Sequence, residues 1–267
     1  MNDKKWYSGK YDRVFKEVML YENNRDILKM LIEKVLNVTI ENIEVLNVES
    51  LVSNIHLKNK RLDLNLKTNI GKINVEVNAV NRKYVHKRNM AYLCDMYSHN
   101  TLTGEEYNSN IKYIQINLSY GLGEKIKAIN LYQVMNENLE TYVDNLYIYD
   151  VNMDYYMGLW YNKNTKMVSD NIILVMLGLD REELMKLSKG NKVVSKYMKE
   201  VERVNEDPEF REYISYEEDQ RKIRNDYKKE GYESGLVDGI EQGIERGINN
   251  EKYSIAKKLL ASDMKVE

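Results

Sequence analysis

One cysteine, one proline, two phenylalanines and two tryptophans are all that 267 residues contain of those types. A lone thiol, Cys94, excludes an intramolecular disulfide framework, and a reducing, cytoplasmic setting is the simple expectation. Its neighbours Tyr92, Leu93 and Met96 lead us to expect a packed thiol, not a nucleophile. With Pro208 alone, proline does not punctuate the chain, so turns and helix starts must be read from Asn, Asp and Gly. The longest apolar run, "IILVMLGL" at 172–179, is far short of the ~20 residues that span a bilayer. The opening "MNDKKWYSGK" lacks the apolar stretch of a secretory leader. Charge of one sign is also lacking. The formal net charge is −2, so any nucleic-acid binding must come from a local basic cluster. The three histidines, His56, His86 and His99, have neither zinc spacing nor cysteine partners. "GLG" at 121–123 is too little for a nucleotide loop.

What is present is periodic. "YDRVFKEVMLYENNRDILKMLIEKVLNV" predicts one or two amphipathic helices, with Val14, Val18 and Tyr21, then Ile27, Leu28, Leu31, Ile32 and Val35, turned inward. "ENIEVLNVES" reads as a short strand. "NRKYVHKRNMAYLCDMYSHNTL" reads as a helix with Val85, Met90, Leu93 and Tyr97 inward. "IKYIQINLS", "KAINLYQVMN" and "VDNLYIYDVN" alternate as strands do. From about residue 170 the pattern is helical. The fold class expected is α/β or α+β: a mixed sheet flanked by helices, with a helical C-terminal region. We expect a core over 1–165, a packed helical extension over 166–207 and a charged helical tail over 208–267.

The stretch "RLDLNLKTNIGKINVEVNA" (61–79) predicts a hairpin. A turn at 68–71 makes facing residues sum to 139, so Asn65 faces Asn74 and Lys67 faces Lys72. Leu64, Leu66, Ile73, Val75 and Val77 then share the opposite side. In this register Asp63 faces Glu76, with Cβ atoms ~4.5–5.5 Å apart. Two facing carboxylates repel unless a cation lies between them, and paired carboxylates are a usual way to hold Mg²⁺. The alternatives are a solvated polar face, acids paired with Arg61, Lys67 or Lys72, or a shifted turn that sets Asp63 against Asn78.

Beyond the hairpin, Arg82, Lys83, Lys87 and Arg88 gather with His86 at a helix start. Tyr84, Arg88 and Tyr92 fall on one helical face. The cluster suits phosphate contacts without sequence readout, or else a solvated face.

The ordered set "DRVFKEVM", "RLDLNLKTNIGKINVEVNAVNRKYVHKRNMAYLCDMYSHNTLTGEEY" and "EGYESGLVDGIEQGIERG" resembles the Rpn family of recombination-promoting nucleases, transposase-like proteins of the PD-(D/E)XK superfamily. The resemblance implies a restriction-endonuclease-like core with its active site on a bent hairpin. It implies hydrolysis of DNA phosphodiesters with Mg²⁺, or Mn²⁺ in its place, with little sequence specificity, in recombination or the processing of mobile or foreign DNA. By the same resemblance Asp63 and Glu76 bind the metal, and the backbone carbonyl of Val77 completes its shell. Asn78 stands where the family has Gln and the wider superfamily Lys. Asp12 and Lys16 match the acid and lysine of the first helix, and Arg88 and Tyr92 match an Arg-and-Tyr pattern on the helix after the hairpin. Asn78 is the departure: it carries no charge and is one methylene shorter than Gln. A catalytically impaired DNA-binding relative is therefore a second expectation.

Gly231, Gly235, Gly239, Gly243 and Gly247 recur every four residues. Each costs a helix ~1 kcal/mol relative to Ala, so either close helix approach repays them or the segment is loosely ordered. Glu, Asp and Arg between them exclude a membrane, and a homo-oligomer through this helix is expected. A protein that acts only through this tail is the third expectation.

Overall fold

The computed structural model describes residues 5–46, 64–80, 83–98 and 111–261. Two compact units divide the chain, one through Asp207 and one from Pro208.

The first unit opens with α1 (Asp12–Leu20) and α2 (Arg25–Leu36). Val14, Phe15, Val18 and Met19 are the buried side of α1, and Ile27, Leu28, Leu31, Ile32, Val35 and Leu36 that of α2, as the helical spacing predicts. Tyr21 differs: it caps the end of α1 in extended conformation and is exposed. Asn37, at φ 54°, closes α2 in the left-handed conformation that asparagine tolerates.

Six described strands form one mixed sheet: β1 (Ile43–Val45), β2 (Leu64–Thr68), β3 (Gly71–Asn78), β4 (Lys112–Ser119), β5 (Ile129–Met135) and β6 (Thr141–Asn152), in the order β1-β2-β3-β4-β6-β5. The pairs β1–β2, β2–β3 and β5–β6 are antiparallel, while β3–β4 and β4–β6 are parallel. The hairpin has the expected register, from Leu64↔Val75 to Thr68↔Gly71. Its turn depends on Gly71. The residue has φ +143°, and a Cβ there would lie 2.2 Å from the Lys112 carbonyl oxygen, so both conformation and space demand glycine.

Leu64, Leu66, Ile73, Val75, Val77, Ile114, Ile116, Leu118 and Val151 are buried and lie at alternate strand positions that share one sheet face. α1 packs on β3 and α2 on β6. The other face carries Asn74, Glu76, Asn78, Gln115, Asn117, Ser119, Asp150 and Asn152, all buried. α3 (Val85–Ser98) packs on β3 and β4. Its Leu93 and Met96 join Tyr113 in a small apolar cluster bordered by Tyr97, Leu146 and Ile148.

Two expectations for α3 change. Met90 is exposed, and Asn89 takes the inward place beside Val85 and Leu93. Cys94 is exposed, because one step along a helix turns it about 100° from the buried Leu93.

α4 (Met153–Tyr161), α5 (Thr165–Asp170), α6 (Ile172–Gly178), α7 (Arg181–Ser188) and α8 (Lys192–Glu206) complete the unit. Asparagine does the work that proline does not. Asn152, Asn164 and Asn191 accept backbone N–H bonds at the starts of α4, α5 and α8, and Asp180 with Glu183 forms a capping box on α7.

The second unit holds α9 (Pro208–Ala261), 54 residues in one helix. Pro208 sits at its first position, where a missing N–H costs nothing. Leu236, Ile240, Ile244 and Ile248 are exposed along it. A Cβ built on any of the five repeat glycines meets nothing within 4 Å. The helix runs on without a break from the glycine repeat through Ala261.

Candidate active site

Glu76 and Asn78 follow each other on one face of β3, so their neighbours across the sheet form rows. Glu76, Asn117 and Asp150 are in register on β3, β4 and β6, and Asn78, Ser119 and Asn152 form the next row. At ~4.8 Å per strand, Glu76 and Asp150 stand ~10 Å apart with Asn117 between them.

Amides join these two carboxylates. Asn74 Nδ2 donates to Glu76 Oε1 (3.0 Å) and to Gln115 Oε1 (3.0 Å). Gln115 Nε2 donates to Asn117 Oδ1 (2.8 Å), and Asn117 Nδ2 donates to Asp150 Oδ1 (2.5 Å). The other Asp150 oxygen lies 3.5 Å from His86 Nδ1. Glu76 is 2% exposed, and Asn74 and Gln115 are 0%. Buried polar groups persist where they are hydrogen-bonded. Here a continuous ladder fixes the rotamer of Glu76 from inside the sheet.

Asn78 is held from two sides. Its Oδ1 accepts from Arg88 Nη2 at 2.5 Å, and its Nδ2 donates to Ser119 Oγ at 3.3 Å. Arg88 lies in the first turn of α3, its N–H bonded to the Tyr84 carbonyl at 3.1 Å. Its guanidinium sits 5.8 Å from the Tyr92 ring centroid. The ammonium groups of Lys83 and Lys87 stand 5.6 and 5.9 Å from the Tyr84 ring, within range of cation–π attraction. All three cations belong to exposed residues. The Asn78 carbonyl accepts from Tyr120 N–H at 3.0 Å. Burial, aided by Tyr197 and Asp154, pushes the Tyr120 phenol far above its ordinary range. It stays neutral and is no base.

Asp63 and Arg82 lie outside the described residues, so the expected Asp63–Glu76 pair is not part of the described geometry. Asp12 and Lys16 pair with each other one turn apart on α1, at 3.4 Å. Among the described residues no group of three or more His, Cys, Asp or Glu side chains is placed to hold a metal ion. The donor chemistry still fits a hard divalent cation in part. Glu76 offers a carboxylate. Carbonyls alternate along a strand, so with Asn78 C=O turned to β4 the Val77 C=O faces the β2 side.

Asn74, Gln115, Asn117, Ser119 and Asp150 escaped the sequence reading. Their signal was available as amides and acids two apart on three strands, N-x-E-x-N, Q-x-N-x-S and D-x-N.

The chain belongs to the PD-(D/E)XK nuclease family transposases, whose family pattern matches residues 9–231. That membership carries a nuclease-type function, and nucleases of this superfamily generally use divalent metal ions. No curated protein and no solved structure matches the chain. Among the described residues no helix is long and apolar enough to cross a membrane.

Proposed function

We propose that this protein is a Mg²⁺-dependent DNA endonuclease of low sequence specificity, acting in recombination or in the processing of mobile or foreign DNA in the cytoplasm. The observation that carries the reading is a buried carboxylate, Glu76, fixed by an amide ladder beside a basic helix start. Asp63, Glu76 and the Val77 carbonyl would hold the ion. Bound there, it would supply an activated water and neutralise charge on the phosphate. Asp12 and Lys16, paired with each other on α1, are assigned to the site by family resemblance alone. Arg82, Lys83, Lys87, Arg88 and Tyr92 grip the backbone, and such contacts carry no sequence information. The nuclease core is 1–165, with 166–207 as its packed extension. With a labelled duplex and Mg²⁺, the full chain is expected to release shorter products. Cleavage that persists in EDTA would refute the metal reading.

A second reading, DNA binding without cleavage, is favoured by the engagement of Asn78 on both ends of its amide. It predicts affinity that survives chelation and no product at any metal concentration.

The tail adds a separate proposal. Leu236, Ile240, Ile244 and Ile248 form a ridge at i+4 spacing, and the row one residue before them, Gly235 to Gly247, has no side chains. Ridges at this spacing pack into matching grooves, so the tails of two copies suit each other. Light scattering of Ile240→Lys with Ile244→Lys is expected to show loss of the oligomer; an unchanged mass would remove the tail from assembly.

A further inference from the structure

We propose that Arg88 supplies the fixed positive charge of the cleavage centre and that Asn78 is its socket; this rests on the nuclease reading above. Hydrolysis of a phosphodiester adds a water oxygen to phosphorus and breaks the bond to the leaving oxygen. The water's proton passes to solvent, and the leaving oxygen takes one from solvent. Negative charge builds on the phosphoryl oxygens on the way, and a cation held there beforehand lowers the barrier.

Asn78 does not carry that charge, and its amide is committed. It is 3% exposed, its oxygen takes Arg88 Nη2 and its nitrogen reaches Ser119 Oγ. Asn78 and Glu76 are two residues apart on one strand face, ~7 Å along β3. Arg88 is therefore pinned one strand repeat from the carboxylate, with Tyr92 beside its guanidinium. Asn78 takes one of the five N–H donors in that fork, and the remaining edge belongs to an exposed residue. A guanidinium acts here as a fixed charge and exchanges no proton in the reaction. Lys83 and Lys87 differ from it. They stand over Tyr84, a residue 61% exposed, and serve affinity rather than the reacting phosphate.

The geometry gives a relocation test. Asn78→Lys puts an ammonium on the strand at the place where Arg88 now arrives from the helix. Arg88→Ala is expected to lower plasmid nicking about 10²–10³-fold at saturating protein, with DNA affinity reduced less than tenfold. Asn78→Lys combined with Arg88→Ala is expected to recover at least tenfold over Arg88→Ala alone, because the lysine no longer meets the guanidinium. A double variant as inactive as Arg88→Ala, although folded and DNA-bound, would overturn the assignment. So would an Arg88→Ala enzyme that regains the full rate once enough protein is added, since Arg88 would then serve binding only. A wild-type chain that binds DNA and never nicks it would overturn the nuclease reading itself, and this inference with it.

Discussion

Glu76→Gln is expected to abolish strand cleavage and leave the fold standing. The side chain is 2% exposed, and its Oε1 accepts from Asn74 Nδ2 at 3.0 Å. Glutamine has the same shape and can keep an oxygen toward that donor. The change removes the charge and keeps the shape. Without the charge the proposed metal site would lose its buried anionic ligand, and the loss should be about 10³-fold or more, the scale seen when one member of a catalytic unit is removed. Stability should hold or rise, because a buried carboxylate is costly to keep ionised. DNA affinity should also hold or rise, since a negative charge leaves the face proposed to bind phosphate. Nicking, melting temperature and a binding isotherm on one preparation check the three parts. Undiminished nicking would remove Glu76 from the chemistry.

Asn117→Leu should give the largest change in stability among the polar residues. The residue is 1% exposed and stands in the middle of the ladder, accepting from Gln115 and donating to Asp150. Leucine keeps the branched shape and orphans both partners. Each buried polar group left without a partner costs ~1–3 kcal/mol and a charged one more, so about 4 kcal/mol is expected from urea unfolding. Ile116→Val, one residue away on the apolar face, should cost only about 1 kcal/mol. The contrast distinguishes a hydrogen-bonded ladder from a merely filled sheet face. The ladder also ends on Glu76, so Asn117→Leu should lower cleavage in protein that is still folded. Equal costs for the two substitutions would mean that the amides contribute no more than their volume.

The hairpin was legible because its signals agree. Leu64, Leu66, Ile73, Val75 and Val77 alternate on one side, and Gly71 sits where only glycine fits, so a shifted register would turn the apolar set outward. The α1 and α2 cores were legible from helical spacing for the same reason. Burial of the opposite sheet face was not. Alternation tells which residues share a face, but not that a helix will cover the polar one. Asp150 could not be placed beside Asn117 without knowing that β6 inserts between β4 and β5, so that β5, although earlier in the chain, ends at the edge. α3 misled through its own composition. Its inward positions include a polar residue, Asn89, so the apolar pattern pointed to Met90 instead. Asn78 could be flagged as a departure from sequence alone. Its partner could not, because Arg88 reaches it across the turn from β3 into α3.

The nuclease proposal rests on a metal-holding hydrolytic centre formed by Asp63, Glu76 and the Val77 carbonyl. Its most direct test is nicking of supercoiled plasmid by the purified full chain in Mg²⁺, Mn²⁺ or EDTA, beside Asp63→Ala. Open circles that form with either metal, fail to form in EDTA and fail to form with the variant are the expected result. Intact plasmid under every condition, with DNA still bound, would contradict it and leave a DNA-binding relative that does not cut.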